Sequence, residues 1–166
     1  MLPVGTDGIV VRPARADEHR LLSDLALRSK GHWGYGVEFL ELCRAELTYS
    51  AERCGSGTVF VAEGGGRVLG FHALAGAPPS GELEALFVDP AHIGAGLGGR
   101  LLHHALDEAA RRGFRRLVLD ADPYAEPFYL HHGAHREGVV DSGTLPGRTL
   151  PHLSFDLHGK AVQTEV

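Results

Sequence analysis

The sequence predicts an α/β fold (α+β by some schemes) of about six to seven strands and about four helices. Three stretches predict it. Two β-rich runs, 58–63 and 67–75, are joined by Gly64, Gly65 and Gly66, which is a hairpin signature. "GELEALFVD" (81–89) alternates, with Leu83, Ala85 and Phe87 on one face and Glu82, Glu84, Leu86 and Val88 on the other. From Leu97 to Gly113 the apolar residues Leu97, Leu101, Leu102, Ala105, Leu106 and Ala109 form one stripe of a helix, closed by glycine.

The other elements follow in order. "GIVVRPA" (8–14) is a β-branched run ended by Pro13, and the helix after it has Asp17 as its expected N-cap. "GHWGYG" (31–36) is a glycine-broken aromatic loop. "VEFLELCRAELT" then places Val37, Leu40 and Leu47 at helical spacing. After the long helix, "RRLVLDAD" reads as a buried strand and "YAEPFYLHHGA" as a short helix ended by Gly133. "AHREGVV" and "TLPHLSFDLH" are late strands. The order is β-α-α-β-β-β-α-β-α-β-β, without repeats or linkers. Residues 1–158 are expected to form a single domain, and 159–166 a flexible tail.

Composition limits the functions open to such a domain. The 166 residues are 43% hydrophobic and 22% charged, enough for a proper core. A net charge of -5, from 16 basic and 21 acidic residues, argues against nucleic-acid or anionic-membrane binding, which want a basic surface. No apolar stretch approaches ~20 residues and the start has no basic leader followed by a long apolar core, so the expected location is cytoplasmic. The two cysteines, Cys43 and Cys54, have no metal-ligand spacing. Eleven histidines include the pairs His103–His104 and His131–His132; adjacent helical residues point about 100° apart, so no metal is expected.

"HIGAGLGGRLLHHAL" (92–106) puts Gly94, Gly96, Gly98 and Gly99 at a helix entrance. Glycine costs ~1 kcal/mol against alanine inside a helix, so this many require a reason. The simplest reading is an easy turn. A second is a dinucleotide site: Gly94, Gly96 and Gly99 satisfy G-x-G-x-x-G, and Asp120 ends the next strand about 20 residues on. Against it, "DPAHI" separates the strand from the glycines, and too little chain follows for a second mononucleotide half. The third is another anion cradle, with successive backbone N–H groups converging on a phosphate and the helix dipole adding roughly +0.5 charge.

"FVDPAHIGAGLGGRLL" resembles the signature segment of the GNAT-type N-acetyltransferase superfamily, a strand ending V-x-P that leads to R/Q-x-x-G-x-G and a helix. By element order the resemblance covers residues 8–157, and it is strongest from Glu82 to Ala134. It implies a mixed, mostly antiparallel central sheet, and acetyl-CoA as acyl donor held by Gly94, Ala95, Gly96, Leu97, Gly98 and Gly99. Ile93 stands where the family has Arg or Gln, so backbone contacts carry more of the load. Leu86, Phe87 and Val88 would pair with the pantetheine arm.

"DADPYAEPFYLHHGA" resembles N-x-x-A-x-x-x-Y-x-x-x-G-F, with Ala125, Tyr129 and Gly133 in place, Asp122 for Asn and Ala134 for Phe. By resemblance the Tyr129 hydroxyl protonates the leaving thiolate, and Phe128 packs in the core or beside adenine. The base would be a carboxylate on the 81–89 strand, Glu84 or Glu82; like charges on one strand face raise each other's pKa. No G-x-S-x-G elbow is present, which favours direct attack by the amine in a ternary complex over an acyl-enzyme.

For the acceptor, "RSKGHWGYG" (28–36) offers Trp33 and Tyr35, with Lys30 and His32 secondary. "DSGTLPGRTLP" (141–151) offers Arg148, suited to bidentate carboxylate or phosphate contact or to a loop salt bridge. These stretches resemble a subgroup of acetyltransferases with S-K-x-H-W-G-Y and S-G-x-x-P-G-R segments. The expected activity is acetyl transfer to a primary amine of a small molecule or peptide. A non-catalytic acyl-CoA-binding or regulatory module is the alternative, a longer acyl donor a variant, and an NAD-binding oxidoreductase the remaining option. A sheet edge leaves room for a homodimer.

Overall fold

The computed structural model describes residues 8–159. The expected tail falls almost wholly outside them. Seven strands, β1 (Val10–Pro13), β2 (Val59–Gly64), β3 (Arg67–Ala77), β4 (Ser80–Val88), β5 (Arg116–Asp120), β6 (His135–Asp141) and β7 (Thr149–Asp156), form one sheet in the order β1-β2-β3-β4-β5-β7-β6. Five helices accompany them: α1 (His19–Gly31), α2 (Val37–Cys43), α3 (Ala51–Cys54), α4 (Leu97–Arg111) and α5 (Glu126–His131). The β4–β5 pair is parallel; β1–β2, β2–β3, β5–β7 and β6–β7 are antiparallel. The chain divides into two compact units, one holding residues up to 73 with 85–102, the other 74–84 with residues from 103 on.

In the first unit, β2 turns into β3 through Gly65 (φ 60°) and Gly66 (φ 77°). Two successive positive φ values are what a type I′ hairpin turn demands. Leu22, Leu25, Ala26 and Ser29 are the buried stripe of α1, at the i, i+3, i+4, i+7 spacing of an amphipathic helix. Its Leu22, Leu25 and Ala26 pack with Cys43, Cys54, Val59, Val61, Phe71 and Ala85 in one core. A second core joins Ile9, Ala62 and Leu69 to Leu97 and Leu101 at the start of α4, with Leu86 and Val88 partly buried against it.

Three local expectations are corrected. Asp17 does not cap α1: it lies inside a 3₁₀ turn, Ala16–Glu18, and α1 starts after it. The reason is Glu18, which accepts from the Arg15 backbone N–H at 2.8 Å and takes two bonds of 2.9 Å from the Arg12 guanidinium. Val37 is 77% exposed rather than core-facing; Cys43 and Leu47 are the buried residues of that stretch. A fifth helix, α3, was not foreseen, although Ser50 caps it by accepting from the Arg53 N–H at 3.0 Å.

In the second unit β4 pairs with β5 through Ser80↔Arg116, Gly81↔Leu117 and Glu82↔Val118. Gly81 lies against the Phe114 ring, where a Cβ would come within 2.9 Å. The 116–120 strand buries Leu117 and Leu119 but exposes Arg116 and Asp120, so it is half-buried, not buried throughout. The rest of α4's apolar stripe, Ala105, Leu106 and Ala109, is buried as the spacing predicts, and the turn at Gly113 (φ 91°) follows the helix end.

Candidate active site

The glycine stretch begins with a built turn. Asp89, just past β4, donates its N–H to the Leu69 carbonyl at 2.8 Å and accepts from the Ala91 N–H at 3.0 Å. Arg28 of α1 donates to its other oxygen at 3.1 Å. Burial raises the Asp89 pKa, but the Ala91 N–H and Arg28 more than offset it, and the carboxyl sits below its ordinary value. A 3₁₀ turn, Pro90–His92, follows, and Ile93 is extended and exposed.

Gly94 (φ 91°) and Gly96 (φ 82°) are left-handed, and a Cβ on either would meet nothing within 4 Å. Backbone conformation rather than crowding therefore requires glycine, and the space in front of the loop is open. The Gly96 carbonyl accepts from the Arg100 N–H at 3.2 Å as α4 starts. The first N–H groups of a helix have no intrahelical partner, and here they follow two glycines that leave the approach clear. The Arg100 guanidinium donates to the Ile9 carbonyl. The side chains of Leu97, Leu86 and Val88 belong to the second core of the first unit and Phe87 packs on Phe71, so these residues have main chain rather than side chain to offer a ligand.

Also in the first unit, Trp33 is an exposed residue in edge contact with His32, while Tyr35 packs on Phe39 at 4.6 Å with Lys30 Nζ 5.5 Å above its ring. The two aromatics expected to wall the acceptor have different packing partners. A surface cavity of about 350 Å³ along α1, lined by Arg20, Asp24, Arg44 and Tyr49 among others, contains none of the expected site residues.

The second unit holds the acid and base candidates. Asp122 Oδ1 accepts from the Tyr124 N–H at 2.9 Å and starts the 3₁₀ turn Pro123–Ala125 that leads into α5. Tyr129 is buried on α5, and burial first, then the charge of Asp122, pushes its phenol far above the ordinary value. It is protonated at every physiological pH. Arg148, expected at the acceptor, has Asp122 Oδ2 at 3.6 Å. Phe128 lies between Tyr129 and His132, with centroids 5.1 and 4.7 Å away; Ala125 precedes α5 as its N-cap.

On β4, Glu82 and Glu84 share a strand face. Glu82 is solvent-exposed as a residue, yet partial desolvation of its carboxyl is the first cause raising its pKa, followed by the charges of Glu84 and Asp120, with His152 acting the other way. Two of these groups were not foreseen as site residues. Asp120, which a dinucleotide site would place on a ribose, accepts from His152 Nδ1 at 2.7 Å, because the β5–β7 register sets Asp120 opposite His152. Alternation along 149–156 was the available signal, but the pairing partner was not.

Among the described residues, no group of three or more His, Cys, Asp or Glu side chains is placed to hold a metal ion, and no helix is long and apolar enough to cross a membrane.

No curated protein matches the sequence significantly. Solved structures do match. PaiA N-acetyltransferase from Thermoplasma acidophilum, in complex with coenzyme A, is 17% identical with a TM-score of 0.71, over 89% of this chain and 98% of that one. A GCN5-related N-acetyltransferase from Rhodopseudomonas palustris is 21% identical with a TM-score of 0.74, over 95% and 99%. YncA from Salmonella typhimurium, with its cofactor acetyl-CoA, is 22% identical with a TM-score of 0.64, over 92% and 96%. At these identities the likeness concerns the fold. A family model, acetyltransferase (GNAT) family, matches residues 22–134, more than half of the chain. The protein, an acyltransferase, therefore belongs to the GNAT acetyltransferase family.

Proposed function

We propose that the protein transfers an acetyl group from acetyl-CoA to a primary amine of a small molecule or peptide by direct attack. The observation that carries this reading is the loop of Gly94 and Gly96, left-handed and open, delivering the chain into the α4 N-terminus. Its residues fit a diphosphate: main-chain N–H groups and the helix dipole favour an anion, and no Cβ blocks the approach. Support also comes from the coenzyme A and acetyl-CoA of two structural relatives. When bound, acetyl-CoA supplies an activated carbonyl and a thiolate leaving group.

The chain's own residues supply the rest. The Leu86–Val88 backbone pairs with the pantetheine arm. Glu82, its pKa raised first by desolvation and then by the charge of Glu84, collects the proton of the amine. Tyr129, held protonated, gives its hydroxyl proton to the departing sulfur. Trp33 and Tyr35 offer the acceptor aromatic contacts in the first unit, and Arg148 offers a cation in the second.

Calorimetry tests the cradle: acetyl-CoA binds and NAD does not. Free-thiol release across amines, amino acids, aminoglycosides, polyamines and lysine peptides tests the transfer. Binding of acetyl-CoA with no turnover on any amine would point to a non-catalytic acyl-CoA module instead.

A further inference from the structure

The face of the sheet that carries Glu82 also carries an imidazole. Parallel pairing sets Glu82 beside Val118; Asp120, two residues on, points to the same side of β5; antiparallel pairing sets Asp120 opposite His152. Residues from β4, β5 and β7 thus lie on one face. From β6, Glu137 also lies within electrostatic reach of His152, while Ser154 donates to it at 2.6 Å and Arg116 lies 3.6 Å away. The imidazole stands among carboxylates of three strands, Glu82, Asp120 and Glu137, and is hydrogen-bonded directly to Asp120. An ionised carboxylate only accepts, so His152 Nδ1 carries the hydrogen in that bond and Nε2 is the basic nitrogen. A carboxylate fixing one ring nitrogen while the other handles a proton is the arrangement that makes histidine a proton carrier.

We propose that His152, oriented by Asp120, is a positioning residue for Glu82 and the exit for the proton that Glu82 collects. The inference rests on the acetyl-transfer reading above. As the C–N bond forms and the C–S bond breaks, the amine proton goes to the Glu82 carboxylate and on to His152 Nε2, while Nδ1–H remains bonded to Asp120. The sulfur takes the proton of Tyr129. The imidazolium then releases one proton to solvent, and solvent returns one to Tyr129, so protons balance over the cycle. Once it carries the transferred proton, His152 also favours the ionised form of Glu82, in opposition to Glu84 and Asp120.

The test is His152→Gln in the full-length protein, read by thiol release against pH and by NMR titration of the Glu82 carboxyl without substrate. Loss of a general-acid/base partner lowers kcat about tenfold or more, leaves the KM for acetyl-CoA unchanged, and moves both the acid limb of kcat and the Glu82 titration to higher pH. Asp120→Asn, a second variant, lowers kcat with the same KM by freeing the ring. A purely structural β5–β7 tie moves neither the acid limb nor the titration; an unmoved limb and titration in His152→Gln overturn the proposal. Glu82→Gln separates the two readings. Loss of turnover there with a wild-type His152→Gln sinks only the relay, whereas wild-type turnover in Glu82→Gln sinks the assignment of the base itself.

Discussion

Arg28 on α1 donates to the carboxylate of Asp89 at 3.1 Å, and through Asp89 the helix is tied to the turn that starts the glycine loop. Asp89 simultaneously caps that turn from its buried side chain. Asp89→Ala removes a cap and leaves the turn free to shift. The expected cost is about 1–3 kcal/mol in urea unfolding, with weaker acetyl-CoA binding by calorimetry. Arg28→Gln costs less, because Arg28 is half exposed and its charge is screened.

Tyr129→Phe keeps the ring in its pocket and removes only the acidic proton. Turnover is expected to fall about 100-fold or more in the thiol-release assay, with thermal stability close to wild type. Unchanged turnover from pH 6 to 10, a window of about four units around the reference values, would remove Tyr129 from the reaction.

Gly94→Ala and Gly96→Ala place an L side chain in a left-handed conformation, at about 1–2 kcal/mol each. Space does not oppose them, since nothing lies within 4 Å of the added Cβ. The loop relaxes instead, and the KM for acetyl-CoA rises about tenfold, the factor that 1.4 kcal/mol represents. Steady-state kinetics at saturating amine measure it.

Gly70 makes the opposite case. An added Cβ would lie 2.7 Å from the Phe87 carbonyl oxygen and 2.9 Å from Leu101 Cδ1. The backbone oxygen cannot swing aside as a flexible side chain does, so Gly70→Ala should destabilise by about 1–3 kcal/mol through overpacking, seen as a lower midpoint in urea.

Glu18 supplies an acid-dependent part of the stability. The Arg12 hydrogen bonds lower its pKa most, burial opposes them, and the Arg15 N–H adds to the lowering. A depressed carboxyl stabilises fully above its unfolded value and loses that contribution as pH falls through the native value. Glu18→Gln is therefore less stable than wild type near neutrality, and the difference in unfolding free energy shrinks on acidification below about pH 4.

The elements written in local periodicity were legible. The α4 stripe from Leu97 to Ala109 and the Gly65–Gly66 hairpin require only spacing and the left-handed preference of glycine, and both form as expected. Features decided by a distant partner were not. Asp17 is a good cap in isolation, but Glu18 is held by Arg12 of the preceding strand, and the 3₁₀ turn results. Val37 has the right spacing for a buried helix face, yet Cys43 and Leu47 take the core positions. In the candidate site, the glycine loop, Tyr129 and Glu82 stand in motifs that a single sequence displays. His152 and Asp120 stand in none; their meeting depends on strand register, which joins residues 32 apart in the chain.

Ile93 has a consequence beyond the missing donor. A cradle of main-chain N–H groups, as proposed, brings no titrating group to the phosphates, whereas the proposed base is a carboxyl whose pKa is raised by desolvation and by Glu84. On the acetyl-transfer reading proposed above, grip on the donor and readiness of the base separate, and acidification is expected to slow the chemistry before it releases the coenzyme.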